Sequence, residues 1–234
     1  MFVSFLFPIL YLLAMGIGLG SLISRGPSRT VAGVAYISFI APGLLAATTM
    51  QTAFSETTYP IMNRAYWLRT YDTMLATPLR IRDLLGGEVI WLVFRLTQVA
   101  AIFFIVMVAF RTVHSALAPL SVVVAMLTGL AFGIPVMAYA ASQRRDTGFS
   151  VIGRFVVTPL FVLGGTFFPI DRLPTLAQDA AWLTPLYHGI ALSRDLTVGG
   201  GSLASALVHL TVLAAYIFIG VGAAYITFER TLAK

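Results

Sequence analysis

Six apolar runs, at about residues 2–24, 35–56, 89–110, 117–141, 148–169 and 206–228, constrain this chain more than any other feature. Each is close to the roughly 20 residues that a helix needs to cross the hydrocarbon core of a bilayer. A membrane strand alternates polar with apolar residues, and these runs do not. Lipid offers no partner to a backbone N–H or C=O, so runs of this kind must be helices that satisfy themselves. Hydrophobic residues make up 59% of the 234 positions and charged residues 10%, and the mean hydropathy is +0.91. Too few polar side chains remain to coat a soluble globule. The expectation is an all-α integral membrane protein with six transmembrane helices, forming a single domain over residues 1–234.

The net charge of +6 comes from 15 basic residues scattered among short loops, a pattern of membrane topology rather than of a nucleic-acid surface. With odd spans running outward, the inner loops and the tail hold Arg64, Arg69, Arg80, Arg82, Arg144, Arg145, Arg230 and Lys234. The other side holds Arg25, Arg29, Arg111, Arg172 and Arg194. The bias places both termini in the cytoplasm. The absence of cysteine removes disulfides and thiolate chemistry. The first run lacks a basic lead-in and is too long for a signal peptide, so it reads as a spanning helix.

Between spans two and three lies an insert of about thirty residues, 57–88, too long to be a plain connection. It carries apolar residues such as Ile61, Tyr66, Tyr71, Leu75, Leu84 and Leu85 at spacings that suit short amphipathic helices. Thr77-Pro78 reads as a helix start, with Thr77 as N-cap and Pro78 at the first helical position. Arg80, Arg82 and Asp83 would then face water or a partner, and Gly86-Gly87 would permit a bend before span three. The same pattern suits a helix lying on the lipid headgroups, and the residues alone leave both readings open. After span five, Gly164-Gly165-Thr166-Phe167-Phe168-Pro169 breaks the helix. The stretch 176–196, interrupted by Pro185, reads as two short re-entrant helices in the outer interface, with Trp182, Tyr187 and His188 as apolar bodies with polar tips. These three could anchor the fold or touch a cargo.

Gly16 with Gly20, and Gly129 with Gly133, form small-xxx-small pairs that let helices approach closely. Pro135 and Pro159 are positioned to kink spans four and five. The lone lysine is Lys234, so a phosphate-cradling G-x-x-x-x-G-K-[ST] loop is impossible in this chain. His114, His188 and His209 are far apart in sequence and show no zinc spacing, and no G-x-S-x-G elbow is present. The expectation is no catalytic residue and no metal. Glu56, Glu88 and Glu229 lie at span ends, which weakens an ion-coupled secondary transporter. Arg95, two turns into span three, and Arg154 read as structural.

The segments ATPLRIRDLLGGEVIW and GTFFPIDRLPTLAQDAAWLTPLYHGIALSRDLTVG, set in a six-span layout, resemble the membrane subunits of type-2 ABC exporters, most of all the daunorubicin-resistance and nodulation lipo-oligosaccharide branch. The resemblance implies a permease that moves an amphiphilic drug, lipid or glycolipid across the bacterial cytoplasmic membrane. It implies two ABC ATPase subunits per complex carrying ATP and Mg²⁺, and a second permease copy or paralogue within the lipid. Carried over, Thr77, Pro78, Leu79, Arg80 and Asp83 become ATPase-coupling contacts, with Arg144, Arg145 and Asp146 as a second touch point. Thr166, Phe167, Phe168, Pro169, Trp182, Pro185, Tyr187 and His188 become the re-entrant exit. The family begins with an amphipathic elbow helix, so the resemblance leads one to expect residues before Met1. An ATP-independent secondary transporter and a structural membrane protein are the competing readings.

Overall fold

A computed structural model describes residues 9–19 and 34–232. The elements in order are α1 (Leu12–Leu19, π-wound), α2 (Tyr36–Thr57) and α3 (Tyr59–Met62, continued by a π turn, Asn63–Trp67). They are followed by α4 (Thr70–Leu75), α5 (Ile81–Ala109), α6 (Leu120–Ser142) and α7 (Thr147–Leu163). After a 3-10 turn at Ile170–Arg172 come α8 (Thr175–Trp182), α9 (Pro185–Val198) and α10 (Leu203–Leu232). The described residues form an all-helical protein.

Among the described residues four helices are long and apolar enough to cross a membrane: α2 with its continuation to Trp67, α5, α6 and α10. The fifth expected span is shorter than 148–169. Helix α7 stops at Leu163 because Gly165 takes φ +86°, a left-handed conformation that turns the chain. Its 17 residues rise only about 25 Å. Most of the first expected span, and Gly20 with it, lies outside the described residues.

Helix α6 is the hub, packing against α2, α5, α9 and α10. Small residues make this possible. A Cβ on Gly129 would stand 2.7 Å from Leu96 Cδ1 and 3.1 Å from the Thr49 carbonyl oxygen, and one on Gly133 would stand 3.0 Å from Ala53 Cβ. The Gly129/Gly133 ridge therefore lets the backbone of α2 come close and receives the Leu92 and Leu96 side chains of α5. Gly220 of α10 lies against Pro135, whose Cδ would be 2.8 Å from an added Cβ. Pro159 acts one turn earlier: the ring excludes the usual i−4 bond, and the helix widens into the π turn Gly153–Val157. Thr158 Oγ1 donates to the Gly153 carbonyl there at 2.9 Å.

Burial separates inner from outer helices. The most apolar stretch of α2 is 72% buried and that of α10 only 17%. Ile90, Phe94 and Ile105 on α5, Phe155 on α7, and Phe218 and Ile219 on α10 stand exposed. In water this would be an aggregation hazard, and in a bilayer it is the lipid-facing surface.

Candidate functional site

Chain parity puts the 57–88 insert, the α6–α7 turn and the end of α10 at one end of the bundle. The α5–α6 turn, the α7–α8 connection and α9 sit at the far end.

At the insert end, α2 bends at Thr58 (φ −95°, ψ −95°), and Thr57 and Thr58 quiet their hydroxyls on the carbonyls of Ala53 and Phe54 at 2.7 and 2.8 Å. The returning α3 is fastened to α6 by the Tyr66 hydroxyl, which donates to the Ala141 carbonyl at 3.0 Å. It is fastened to α7 by an edge-to-face contact of Tyr59 with Phe149, 5.2 Å between ring centres. Arg69 adopts φ +49° and reverses the chain into α4. Tyr71, 1% exposed, then donates its hydroxyl to Glu88 Oε1 at 2.9 Å and packs on Phe228 of α10, ring centres 5.8 Å apart. The same Glu88 oxygen forms an ion pair with Arg64 Nη1. Burial, and then the charge of Glu88, pushes the Tyr71 phenol well above its ordinary range, so it stays a donor. One carboxylate thus holds α3, α4 and α5 together, and the ring beside it reaches α10. A second pair, Arg95 Nε to Glu56 Oε1 at 2.9 Å, ties α5 to α2, with Gln98 and Trp91 completing the cluster.

Two expectations about the insert are corrected. The helix does not start at Thr77-Pro78. Thr77 Oγ1 is already committed backward to the Met74 carbonyl at 2.6 Å, and Arg80, extended at φ −101° and ψ 159°, is the N-cap. The Asp83 carboxylate reaches back to accept the Arg80 N–H at 2.9 Å, the return half of a capping box. Nor does Gly86-Gly87 bend the chain, because α5 runs unbroken from Ile81 to Ala109. Buried Leu84 and Leu85 anchor it on the core side, which offsets the roughly 1 kcal/mol that each helical glycine costs. Thr77, Pro78, Leu79, Arg80, Arg82 and Asp83 are all exposed, as are Arg144, Arg145 and Asp146 on the same end.

At the far end, Thr166 is fully buried beneath α2, its backbone so near Gly43 that a Cβ there would stand 3.0 Å from it. Phe167, Phe168 and Pro169 are half-buried. Thr184 caps α9, its hydroxyl accepting the Tyr187 N–H at 3.4 Å, and Pro185 takes the first helical position. Sequence distance misleads about the histidines, for the structure brings two together. His188 Nδ1 lies 2.8 Å from His209 Nδ1, and His188 Nε2 lies 2.8 Å from the Trp182 carbonyl oxygen. Among the described residues no group of three His, Cys, Asp or Glu could hold a metal. Trp182 and Tyr187, ring centres 5.6 Å apart, line a cavity of about 410 Å³ together with Gly164, Gly165, Pro169 and Arg194. The sequence held no signal for the Glu88 hub or the histidine pair, whose partners are 17 to 24 residues apart.

The geometry describes a membrane bundle with a fastened insert at one end and a lined cavity at the other. Comparison with known proteins agrees. The chain is 34% identical over 212 residues to Nodulation protein J of Rhizobium leguminosarum bv. trifolii, covering 91% of this chain and 79% of that protein. It is 30% identical to Nodulation protein J of Rhizobium meliloti (strain 1021), covering 87% and 74%. It is 26% identical to the inner membrane transport permease YadH of Escherichia coli (strain K12), covering 68% and 62%. No solved structure gives a significant match. The family model described as ABC-2 type transporter matches residues 1–197. The chain belongs to the ABC-2 type transporter family: it is a multi-pass membrane transport permease, a subunit that is not itself catalytic, of a family that implies association with an ABC ATPase.

Proposed function

We propose that this permease is the membrane half of an ATP-driven exporter in the bacterial cytoplasmic membrane, with both termini cytoplasmic and residues 1–234 forming one transmembrane domain. Two ATPase subunits carry the ATP and Mg²⁺, and a second permease copy or paralogue completes the path for an amphiphilic drug, lipid or glycolipid. The transport permease named among its relatives is an inner-membrane protein, which supports the location. In this reading Thr77, Pro78, Leu79, Arg80 and Asp83 meet the ATPase, with Arg144, Arg145 and Asp146 beside them. The segment from Thr166 to Pro169 and that from Trp182 to His188 close the exit.

The observation that carries this reading is the continuity of α5. The exposed residues at its start belong to one 29-residue rod, about 43 Å long, which Glu88 locks to the insert. A displacement imposed at Arg80 and Asp83 moves the whole rod instead of being absorbed by a hinge. ATP binding by the partner then favours one of two arrangements of the bundle, which is what drives a population shift. Coupling to an ion gradient finds no support. Between α2 and α10 no carboxylate lies near the midpoint of a long helix, and Glu56 and Glu88 are already paired with arginines.

Two measurements test it. Export must vanish when the partner ATPase loses its P-loop lysine, and export that persists in that background sinks the reading. Arg80→Ala with Asp83→Ala lowers permease-stimulated ATP hydrolysis by roughly tenfold, the scale of a coupling free energy between sites, while membrane insertion is retained.

A further inference from the structure

The far-end cavity has a chemistry that the transport cycle does not require. Arg194 of α9 forms part of its wall. The guanidinium carbon lies 3.8 Å above the centre of the Phe39 ring. Nη2 donates to the Gly165 carbonyl at 2.9 Å and Nε to the Phe39 carbonyl at 3.3 Å. Both acceptors are neutral. Among the described residues no carboxylate oxygen comes within ion-pair distance of Arg194, unlike Arg64 and Arg95. A guanidinium has five N–H donors in a planar fork that suits phosphate, and only two of its nitrogens are occupied. Held by carbonyls and a ring face in a partly desolvated wall, this cation binds an anion more strongly than a solvated one would.

The rest of the lining says which anion. Asp195, next to Arg194 in sequence, and Asp171, on the exposed 3-10 turn, face the same space. Two carboxylates around one cation repel a purely anionic group and favour a ligand that carries an ammonium as well. The face of Trp182 attracts the same cation, and Trp182 is 51% exposed. On α8 and at its end, Leu176 and Leu183 are exposed at 83% and 74%, apolar surface on the same element that carries Trp182. Its volume of about 410 Å³ falls in the range of small-molecule sites.

We propose that this cavity binds a zwitterionic phosphodiester headgroup, its phosphate on Arg194 and its ammonium among Asp171, Asp195 and Trp182. This goes beyond the exporter reading and stands without it, because binding is measured on the permease alone.

Native mass spectrometry of the full chain in detergent tests it, with phosphatidylethanolamine and phosphatidylglycerol of identical acyl chains as probes. The wild type holds phosphatidylethanolamine at least about tenfold more tightly, the scale set by one charge-assisted contact. Asp171→Asn, at an exposed position, removes most of that preference. Arg194→Gln loses both lipids. Arg194→Lys, which keeps the charge, restores phosphatidylethanolamine binding to within a few-fold, which guards against misfolding as the cause. Soluble glycerophosphoethanolamine serves as competitor: displacement assigns the site to free headgroups, and failure to displace assigns it to membrane lipid, the headgroup chemistry standing in both cases. Equal binding of the two lipids by the wild type overturns the proposal. So does unchanged phosphatidylethanolamine binding in Asp171→Asn and Arg194→Gln, or a cavity that holds no lipid and cross-links through position 182 to a second copy of the chain.

Discussion

In the insert half of the molecule the inward-drawn charges are matched, Arg64 against Glu88 and Arg95 against Glu56, whereas at the far end Arg194 rests on two carbonyls and a ring. Hydroxyl groups differ in part. Thr57 and Thr58 return their protons to the backbone, as do Thr112 and Thr197 at the far end, but the three buried hydroxyls without a partner among the described residues, on Ser121, Thr166 and Ser193, all lie toward the far end. A buried polar group left unmatched costs about 1–3 kcal/mol, so the far end gives up stability that the insert end keeps. On the exporter reading proposed above, the bundle is stiff at the end that meets the ATPase and adaptable at the end where cargo leaves.

The sharpest way to break that comparison is to remove the charge that organises the stiff end. Glu88→Ala leaves Arg64 without its counter-ion and Tyr71 without its acceptor. The expected loss is about 3 kcal/mol of unfolding free energy in detergent, the low end for a broken buried pair because Arg64 keeps 32% exposure. A loss under about 0.5 kcal/mol would show that the hub is ornamental. Next in size is a packing test at the far end. Gly189 of α9 faces Thr128 so closely that a Cβ would stand 1.9 Å from its Oγ1, which is itself bonded to the Val124 carbonyl at 2.8 Å. Gly189→Ala is expected to cost about 2 kcal/mol through overpacking, with Thr128→Ala recovering most of it. Such an outcome locates the looseness of the far end in its polar groups and not in its helix contacts. Smaller again is Tyr71→Phe, which keeps the ring on Phe228 and removes one hydrogen bond to a charged acceptor, expected at about 1.5 kcal/mol.

What the sequence revealed follows the range over which each cause acts. Span length is a local property of apolar runs, so α2, α6 and α10 fall within about four residues of expectation at each end. The break after α7 was equally local: Gly164-Gly165 ends that helix, α8 lies between Pro174 and Pro185, and α9 starts at Pro185. The start of α5 was misjudged because two local signals competed. Thr77-Pro78 is a good N-cap pair, yet Asp83 three residues after Arg80 is a better one once Thr77 is spent on the preceding turn. The ion pairs were illegible for a different reason. Arg64 and Glu88 are 24 residues apart and Glu56 and Arg95 are 39 apart, and their meeting depends on the register of α3 and α5 around α6, which the Gly129 and Gly133 contacts fix. His188 and His209 meet only because α9 folds back along α10.

The smallest effect concerns a charge pair that belongs to neither end's interior. Arg69 Nε lies 2.9 Å from Asp72 Oδ2, as short as the Arg95–Glu56 contact, but the two side chains are 67% and 44% exposed. Water screens the attraction, and holding two mobile side chains offsets much of what remains, so a double-mutant cycle of Arg69→Ala and Asp72→Ala should give a coupling below about 0.5 kcal/mol. In 1 M salt, where the screening length is about 3 Å, it should vanish, while the Arg64–Glu88 coupling keeps most of its value. Equal salt sensitivity of the two couplings would mean that Glu88 is solvated in the membrane-embedded protein, and the insert would then be a surface hinge with no rigid grip on α5.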